Sequence, residues 1–270
     1  MALAKEQPIG IFDSGVGGLT VAQAIKQLLP DEVLIYFGDT AHLPYGDKST
    51  ESILNYSKKI SELLLEKNCK VILVACNTAS AVAFGSLKNY LGEKIILLNV
   101  IEPVIDYIHQ KKTYRKIGVI GTKATINSGT YEKKLKEKDR DIEVKSLATP
   151  LLVPMIEEGF IYDDISNAII RVYLSKRELD GIQALILGCT HYPIIRNQIS
   201  KFYNFDVEVL DSAQIVANEL KKMLISNDLL NPKDKKDYRF FVSDYTPFFE
   251  KISRKFFGET IHLEKIDLWK

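Results

Sequence analysis

Short apolar runs recur along the chain, each ending in small or polar residues and each followed by a stretch of helical periodicity. Ile9 to Phe12 runs into Asp-Ser-Gly-Val-Gly-Gly, after which apolar residues repeat at Val21, Ala24, Ile25 and Leu28 before Pro30. Val33 to Phe37 leads into Gly-Asp-Thr-Ala-His-Leu-Pro-Tyr-Gly, Val71 to Ala75 into Cys-Asn-Thr-Ala-Ser, and Ile95 to Leu98 into Asn-Val-Ile-Glu-Pro. Between them Ser49 stands where it can cap a helix that buries Ile53, Ile60, Leu63 and Leu64. The alternation continues through Lys116 to Ile120, Ile182 to Leu187 and Val207 to Leu210. Near-continuous Val/Ile/Leu strands alternating with helices predict parallel β-α-β units with helices on both faces. The class is α/β.

The pattern also repeats. Pro8-Ile-Gly-Ile-Phe-Asp-Ser resembles Lys116-Ile-Gly-Val-Ile-Gly-Thr, and Val71-Ile-Leu-Val-Ala-Cys-Asn-Thr resembles Ala184-Leu-Ile-Leu-Gly-Cys-Thr-His. Cys76 aligns with Cys189, and between the two matches Pro44 aligns with Pro154, all at an offset of about 110 residues. Three matches in one order at nearly one offset predict two similar α/β/α domains with parallel sheets, related by a pseudo-twofold axis. No low-complexity linker separates them, and the first crossover falls near Asn99 to Pro103. The tail beyond Asp211 is about 60 residues, too short for a third core, so it should return and complete the first domain. It reads as a helix from Ala213 to Leu224, a charged loop at 231–237, a strand from Tyr238 to Val242, and a final helix and strand. The expected division is 1–98 plus 211–270 against 99–210.

Composition narrows the class of partner. A chain of 270 residues fits two domains, and its net charge of +1 offers no footprint for a nucleic acid or a membrane surface. The mixed-sign runs Lys133 to Arg140 and Lys233 to Asp237 read as solvated faces and loops. No apolar run is long enough to span a bilayer, and the first residues lack the apolar core of a signal peptide. Three cysteines without C-x-x-C spacing fit free thiols in a reducing cytoplasm, so a cytoplasmic protein is expected.

In α/β sheets, ligands bind beyond the carboxyl ends of the strands. Asp13, Ser14, Cys76, Asn77, Thr78, Cys189, Thr190 and His191 all fall there on this reading. Two facing domains would set Cys76 and Cys189 on opposite sides of one cleft. A planar carbanion between them could lose a proton to one sulfur and receive one from the other, which inverts a stereocentre. A free thiol has a pKa of about 8.5 and needs help to act as a base. Both cysteines precede predicted helix starts, where N–H groups favour negative charge. Asn77, Thr78 and Thr190 can bind a substrate carboxylate there, and Asp13 and His191 can tune the thiols or shuttle protons. Gly15, Gly17 and Gly18 are expected to let the chain turn tightly beneath the ligand.

Other chemistries read less well. Cys69 is a buried small hydrophobe. The three cysteines and His191 lack paired zinc spacing. Gly15-Val-Gly17-Gly18-Leu-Thr20 follows a strand, yet Thr20 breaks the dinucleotide-binding pattern and no phosphate-loop Gly-Lys-Ser/Thr follows. A Cys-His hydrolase on Cys189 and His191, with Glu157 as orienter, would form a thioester and have no use for Cys76. A binding module on the glycine loop would need neither thiol.

Five segments in order then match one family: Gly10-Ile-Phe-Asp-Ser-Gly-Val-Gly-Gly-Leu-Thr, Tyr36-Phe-Gly-Asp-Thr-Ala-His-Leu-Pro-Tyr-Gly, Val74-Ala-Cys-Asn-Thr-Ala-Ser, Gly121-Thr-Lys-Ala-Thr-Ile-Asn-Ser and Leu187-Gly-Cys-Thr-His-Tyr-Pro. Over nearly its whole length the chain resembles the glutamate racemases of the aspartate/glutamate racemase superfamily. The resemblance implies interconversion of L- and D-glutamate, supplying D-glutamate for peptidoglycan, without pyridoxal phosphate, metal or nucleotide. It implies that Cys76 acts on the D-enantiomer and Cys189 on the L-enantiomer, with Asp13 assisting the first thiol and His191 the second. Glu157 matches the auxiliary glutamate, with Glu158 directly after it. Asp13, Ser14, Pro44, Tyr45, Gly46, Asn77, Thr78, Thr125 and Thr190 match substrate-contacting positions, Thr125 in a looser stretch. The active site is expected in the interdomain cleft of a homodimer, and some members require a peptidoglycan-precursor activator. An aspartate-specific relative would keep both cysteines and hold the side-chain carboxylate differently.

Overall fold

The computed structural model describes residues 3–232 and 237–270. Among the described residues there are ten strands: β1 (Ile9–Asp13), β2 (Leu34–Gly38), β3 (Val71–Val74), β4 (Ile96–Asn99), β5 (Lys116–Gly121), β6 (Glu143–Ala148), β7 (Ala184–Gly188), β8 (Glu208–Leu210), β9 (Tyr238–Val242) and β10 (Leu263–Lys265). They form two sheets, one ordered β10-β9-β2-β1-β3-β4 and the other β6-β5-β7-β8. Every pairing is parallel, with Phe12 opposite both Phe37 and Val74, and Gly121 opposite both Ala148 and Gly188. Parallel sheets need both faces covered, which is why β1, β2, β3 and β7 are buried along their full length.

The order β2-β1-β3-β4 in the first sheet recurs as β6-β5-β7-β8 in the second. The repeat in the sequence therefore has a structural counterpart: β1 answers to β5 and β3 to β7, so Cys76 and Cys189 follow equivalent strands. Pro44 and Pro154 follow β2 and β6, which hold matching places beside β1 and β5. The first sheet gains two strands, β9 and β10, from the end of the sequence. Helix Ser212–Ser226 connects the two parts, packing on helices Leu19–Leu28 and Glu102–Lys111. One hydrophobic cluster runs through both sheets, from Ile9, Leu73 and Leu98 to Ile120, Leu185 and Leu187, by way of Val216, Ala217 and Leu220.

Local chemistry sets the helix starts. Ser49 caps helix Thr50–Glu66 by accepting from Ser52 N at 3.1 Å. At the first crossover Asn99 Oδ1 accepts from the N–H groups of Ile101 and Glu102, both at 2.8 Å. β6 is absent from the periodicity reading. It is an edge strand on the shorter sheet, and Glu143, Lys145 and Ser146 interrupt its apolar pattern. The run Lys133 to Arg140 lies largely on helix Thr130–Lys138, which buries Tyr131 and Leu135 and is ion-paired through Lys134 to Glu102 and Lys138 to Asp106. Of the second charged run, 233–236 lie outside the described residues. No helix among the described residues is long and apolar enough to cross a membrane.

Candidate active site

The carboxyl ends of both sheets open on one cavity of about 260 Å³. The first sheet's loops contribute Ser14, Pro44, Tyr45, Gly46, Cys76, Asn77 and Thr78 to its lining, and the second sheet's loops and helices Glu157, Cys189, Thr190 and His191. A larger open groove of about 390 Å³ lies between helices Glu102–Lys111 and Ser212–Ser226. Its walls contain no cysteine or histidine, so it offers no proton-transfer chemistry of this kind.

Cys76, two residues beyond β3, is the N-cap of helix Asn77–Val82, and its Sγ accepts from Ala79 N at 3.5 Å. Burial pushes the thiol up, as do the charges of Asp13 and Cys189. The hydrogen bonds from Ala79 and Ser14 pull the other way, and the net value is about 12. At that value Cys76 is a thiol at neutral pH. Asp13 lies behind the cavity wall, fully buried, with Oδ2 accepting from Gly15 N at 3.0 Å and Oδ1 from Thr190 Oγ1 at 3.3 Å. Burial raises its carboxyl, against the charge of His191 and the N–H groups of Gly15 and Gly18.

Cys189 has different company. Its Sγ is 3.7 Å from His191 Nδ1, and His191 Nε2 is 2.9 Å from Glu157 Oε1. Burial pulls the imidazole down, but hydrogen bonds and charge from Cys189 and Glu157 outweigh it and raise the value to about 10. His191 is thus a cation between sulfur and carboxylate, and it packs edge-on against Phe256 with ring centroids 5.1 Å apart. A 3-10 turn, Tyr192–Ile195, with His191 as its N-cap, stands between Cys189 and helix Arg196–Phe202. The expected helix therefore starts further along the chain and Cys189 does not cap it. The imidazolium takes the place of the helix N–H groups.

One further expectation gains its reason and another needs correction. The chain turns through residues 14–18 as expected, without Gly15, Gly17 or Gly18 entering the left-handed region. What Gly17 provides is room: a Cβ there would overlap the His191 ring and lie 2.6 Å from Thr190 Oγ1. Thr125 does not line the cavity. It is buried beneath Thr78 and Thr122, whose hydroxyls lie 3.2 and 3.0 Å from its own, because Thr122 caps its helix and takes the wall position.

Several wall residues escaped the sequence reading: Leu43, Asp47, Thr122, Lys123, Thr149, Pro150 and Val153. The repeat contained the signal for Thr122, which aligns with Ser14. Thr149 and Pro150 follow β6, the strand that periodicity missed. Asn77 adds a sign of ligand binding. Its Oδ1 accepts from Tyr131 OH at 2.7 Å, while its buried Nδ2 has no partner among the described residues.

A family model described as Asp/Glu/Hydantoin racemase matches residues 18–220. The chain belongs to the Asp/Glu/Hydantoin racemase family. It is 41% identical over 251 residues to a glutamate racemase of Geobacter metallireducens, covering 93% of this chain and 92% of that one. It is 39% identical over 267 residues to a glutamate racemase of Neisseria meningitidis serogroup C, covering 98% and 97%. The crystal structure of glutamate racemase from Francisella tularensis in complex with D-glutamate matches with a TM-score of 0.92 and 39% identity, over 98% of this chain and 99% of that chain. The protein is an isomerase, of the amino-acid racemase class.

Proposed function

We propose that the protein is a cofactor-independent glutamate racemase in which Cys76 and Cys189 exchange the α-proton across the cavity. The observation that carries this reading is that two buried thiols line one cavity, each after an equivalent strand of a different sheet. With L-glutamate bound, Cys189 takes the α-proton as thiolate and becomes a thiol, while Cys76 gives its proton to the opposite face and becomes a thiolate. The His191 cation supports the negative charge on Cys189 Sγ before the transfer, and the Ala79 N–H and Ser14 hydroxyl support that on Cys76 afterwards. D-glutamate reacts in the reverse sense from the mirror protonation state. Asp13 and His191 are the groups that redistribute protons between turnovers, and Glu157 holds His191.

The substrate carboxylate has its donors in Asn77 Nδ2, Thr78 and Thr190, with Ser14 and the Pro44-Tyr45-Gly46 segment completing the wall. Donors aimed at that carboxylate stabilise the charge that develops there as the α-proton leaves. Thr125 acts from behind, through Thr78 and Thr122. The strand membership of β9 and β10 supports dividing the chain into 1–98 plus 211–270 and 99–210. The reading extends to a cytoplasmic homodimer that supplies D-glutamate for peptidoglycan, and assay with and without a peptidoglycan precursor decides whether it takes an activator.

The test is incubation of the purified protein with L-glutamate in D2O without added cofactor, following optical rotation and the α-proton NMR signal. Loss of rotation together with deuterium at the α-carbon is the expected result. Exchange with aspartate at a higher kcat/KM than with glutamate would reassign the substrate, and silence with both, with and without precursor, would overturn the reading.

A further inference from the structure

Behind the Pro44-Tyr45-Gly46 wall lies a buried polar hub that the proton-transfer chemistry does not use. Asp39 directly follows β2 and is completely buried. Its Oδ1 accepts from Ser243 Oγ at 2.7 Å and from Trp269 Nε1 at 2.9 Å. Its Oδ2 accepts from Tyr45 OH at 2.7 Å and lies 2.9 Å from His42 Nδ1. A buried carboxylate requires such partners, and here they come from three separate parts of the chain. His42 and Tyr45 belong to the segment that walls the cavity, Ser243 follows β9, and Trp269 belongs to a segment that follows β10.

The surrounding contacts act in the same direction. Ser243 Oγ also accepts from Ala41 N at 2.9 Å, and Thr40 Oγ1 accepts from Asp244 N at 2.9 Å. The His42 ring stacks on Tyr56 at 4.0 Å and meets the Trp269 indole edge-on at 4.5 Å. Ile266, Leu268 and Trp269 pack against the same hydrophobic cluster that contains Tyr45 and Cys76. On the other side, the wall segment rests on the glycine loop through Leu43, whose Cδ2 would lie 2.7 Å from a Cβ at Gly15. Residues 39–47 have no regular structure beyond two short 3-10 turns, so their shape depends on these ties.

We infer that Asp39 is a positioning residue for substrate binding, and that Trp269 acts through it as a strap fixing the Pro44-Tyr45-Gly46 wall. This rests on the racemase reading, because the wall is counted as part of the substrate site. Asp39 touches neither thiol, so its loss should fall on ground-state binding rather than on proton transfer. The indole belongs to the single tryptophan of the sequence, so its emission reports on the hub alone.

The experiment compares wild type, Trp269→Phe and Asp39→Asn in racemisation of L-glutamate, with tryptophan emission of the wild type followed during titration with glutamate. Trp269→Phe keeps an aromatic ring beside His42 and Tyr56 but removes the Nε1–H donor to Asp39, together with the second ring of the indole. It is expected to raise KM several-fold with kcat within about twofold, and Asp39→Asn to raise KM by roughly tenfold or more, again with kcat largely kept. Emission should saturate in step with substrate occupancy. A KM unchanged in Trp269→Phe would overturn the inference, as would a kcat falling in parallel with stability at constant KM, or emission silent through saturation. If Asp39→Asn does not fold, Trp269→Phe decides alone. Failure of the wild type to racemise glutamate would instead count against the racemase reading, which separates the two.

Discussion

Cys76 and Cys189 follow equivalent strands of two sheets with the same core order, yet their surroundings differ in kind. Cys76 caps a helix, is flanked by the Asp13 carboxylate, and is held as a thiol with its pKa raised to about 12. Cys189 precedes a 3-10 turn and faces an imidazolium braced by Glu157. A repeated backbone thus sets two sulfurs on one cavity, while the side chains around them put a proton on one and a cation beside the other. In the two-thiol reading this difference readies the free protein for one direction of reaction, with the acid on the Cys76 side and charge support on the Cys189 side.

The strongest way to break the comparison is to remove one sulfur at a time. Cys76→Ser and Cys189→Ser should each lower kcat/KM for racemisation by about 10³-fold. Because enantiomers have equal free energies, kcat/KM must fall equally in both directions whichever side is cut. The difference between sides should appear in exchange without inversion: in D2O, Cys189→Ser should label D-glutamate alone and Cys76→Ser L-glutamate alone. Full activity in either variant would remove the two-thiol mechanism.

Replacing His191 acts directly on the Cys189 side and reaches the Cys76 side only through its charge on Asp13. His191→Gln should cost about 10² in kcat/KM. It should also change the dependence of stability on pH. A histidine raised from 6.5 to about 10 in the folded state contributes stability that is complete below pH 6.5 and is lost as pH rises through about 10. Melting temperature measured between pH 6.5 and 10 should therefore decline more steeply in wild type than in His191→Gln, and parallel curves would contradict the imidazolium assignment.

Two smaller changes sharpen the contrast. Gly17→Ala should displace His191 and Thr190 and reduce kcat/KM by roughly tenfold, while leaving alkylation of Cys76 by iodoacetamide unchanged. On the other side, Tyr131→Phe frees Asn77 Oδ1 and should raise KM a few-fold with kcat nearly constant, consistent with loss of one neutral hydrogen bond. A larger effect of Tyr131→Phe than of Gly17→Ala would reverse the ranking of the two sides.

The α/β class, the repeat and the placement of Asp13, Ser14, Cys76, Asn77, Thr78, Cys189, Thr190 and His191 at strand ends were legible because buried parallel strands leave an unbroken apolar record that stops where the ligand begins. β6 left no such record, being an edge strand with polar interruptions, and Thr149 and Pro150 went unseen with it. The glycine loop was legible as special but not in its reason. Close approach of His191 to Gly17 joins parts of the chain far apart in sequence, and no local pattern encodes that contact.

By itself, then, the sequence determined what is local and repeated: strand after strand by hydrophobic period, one thiol at each of two matching strand ends, and a polar residue beside each. The tertiary structure decided what depends on neighbours distant in the chain. It put Asp13 against Thr190, made His191 a cation between Cys189 and Glu157, set Thr125 behind the wall rather than in it, and brought Trp269 to Asp39. The physical reason is one of range. Hydrophobic periodicity is written over a few residues, whereas burial, charge and steric contact act through space, and only the folded chain determines which groups share the same few ångströms.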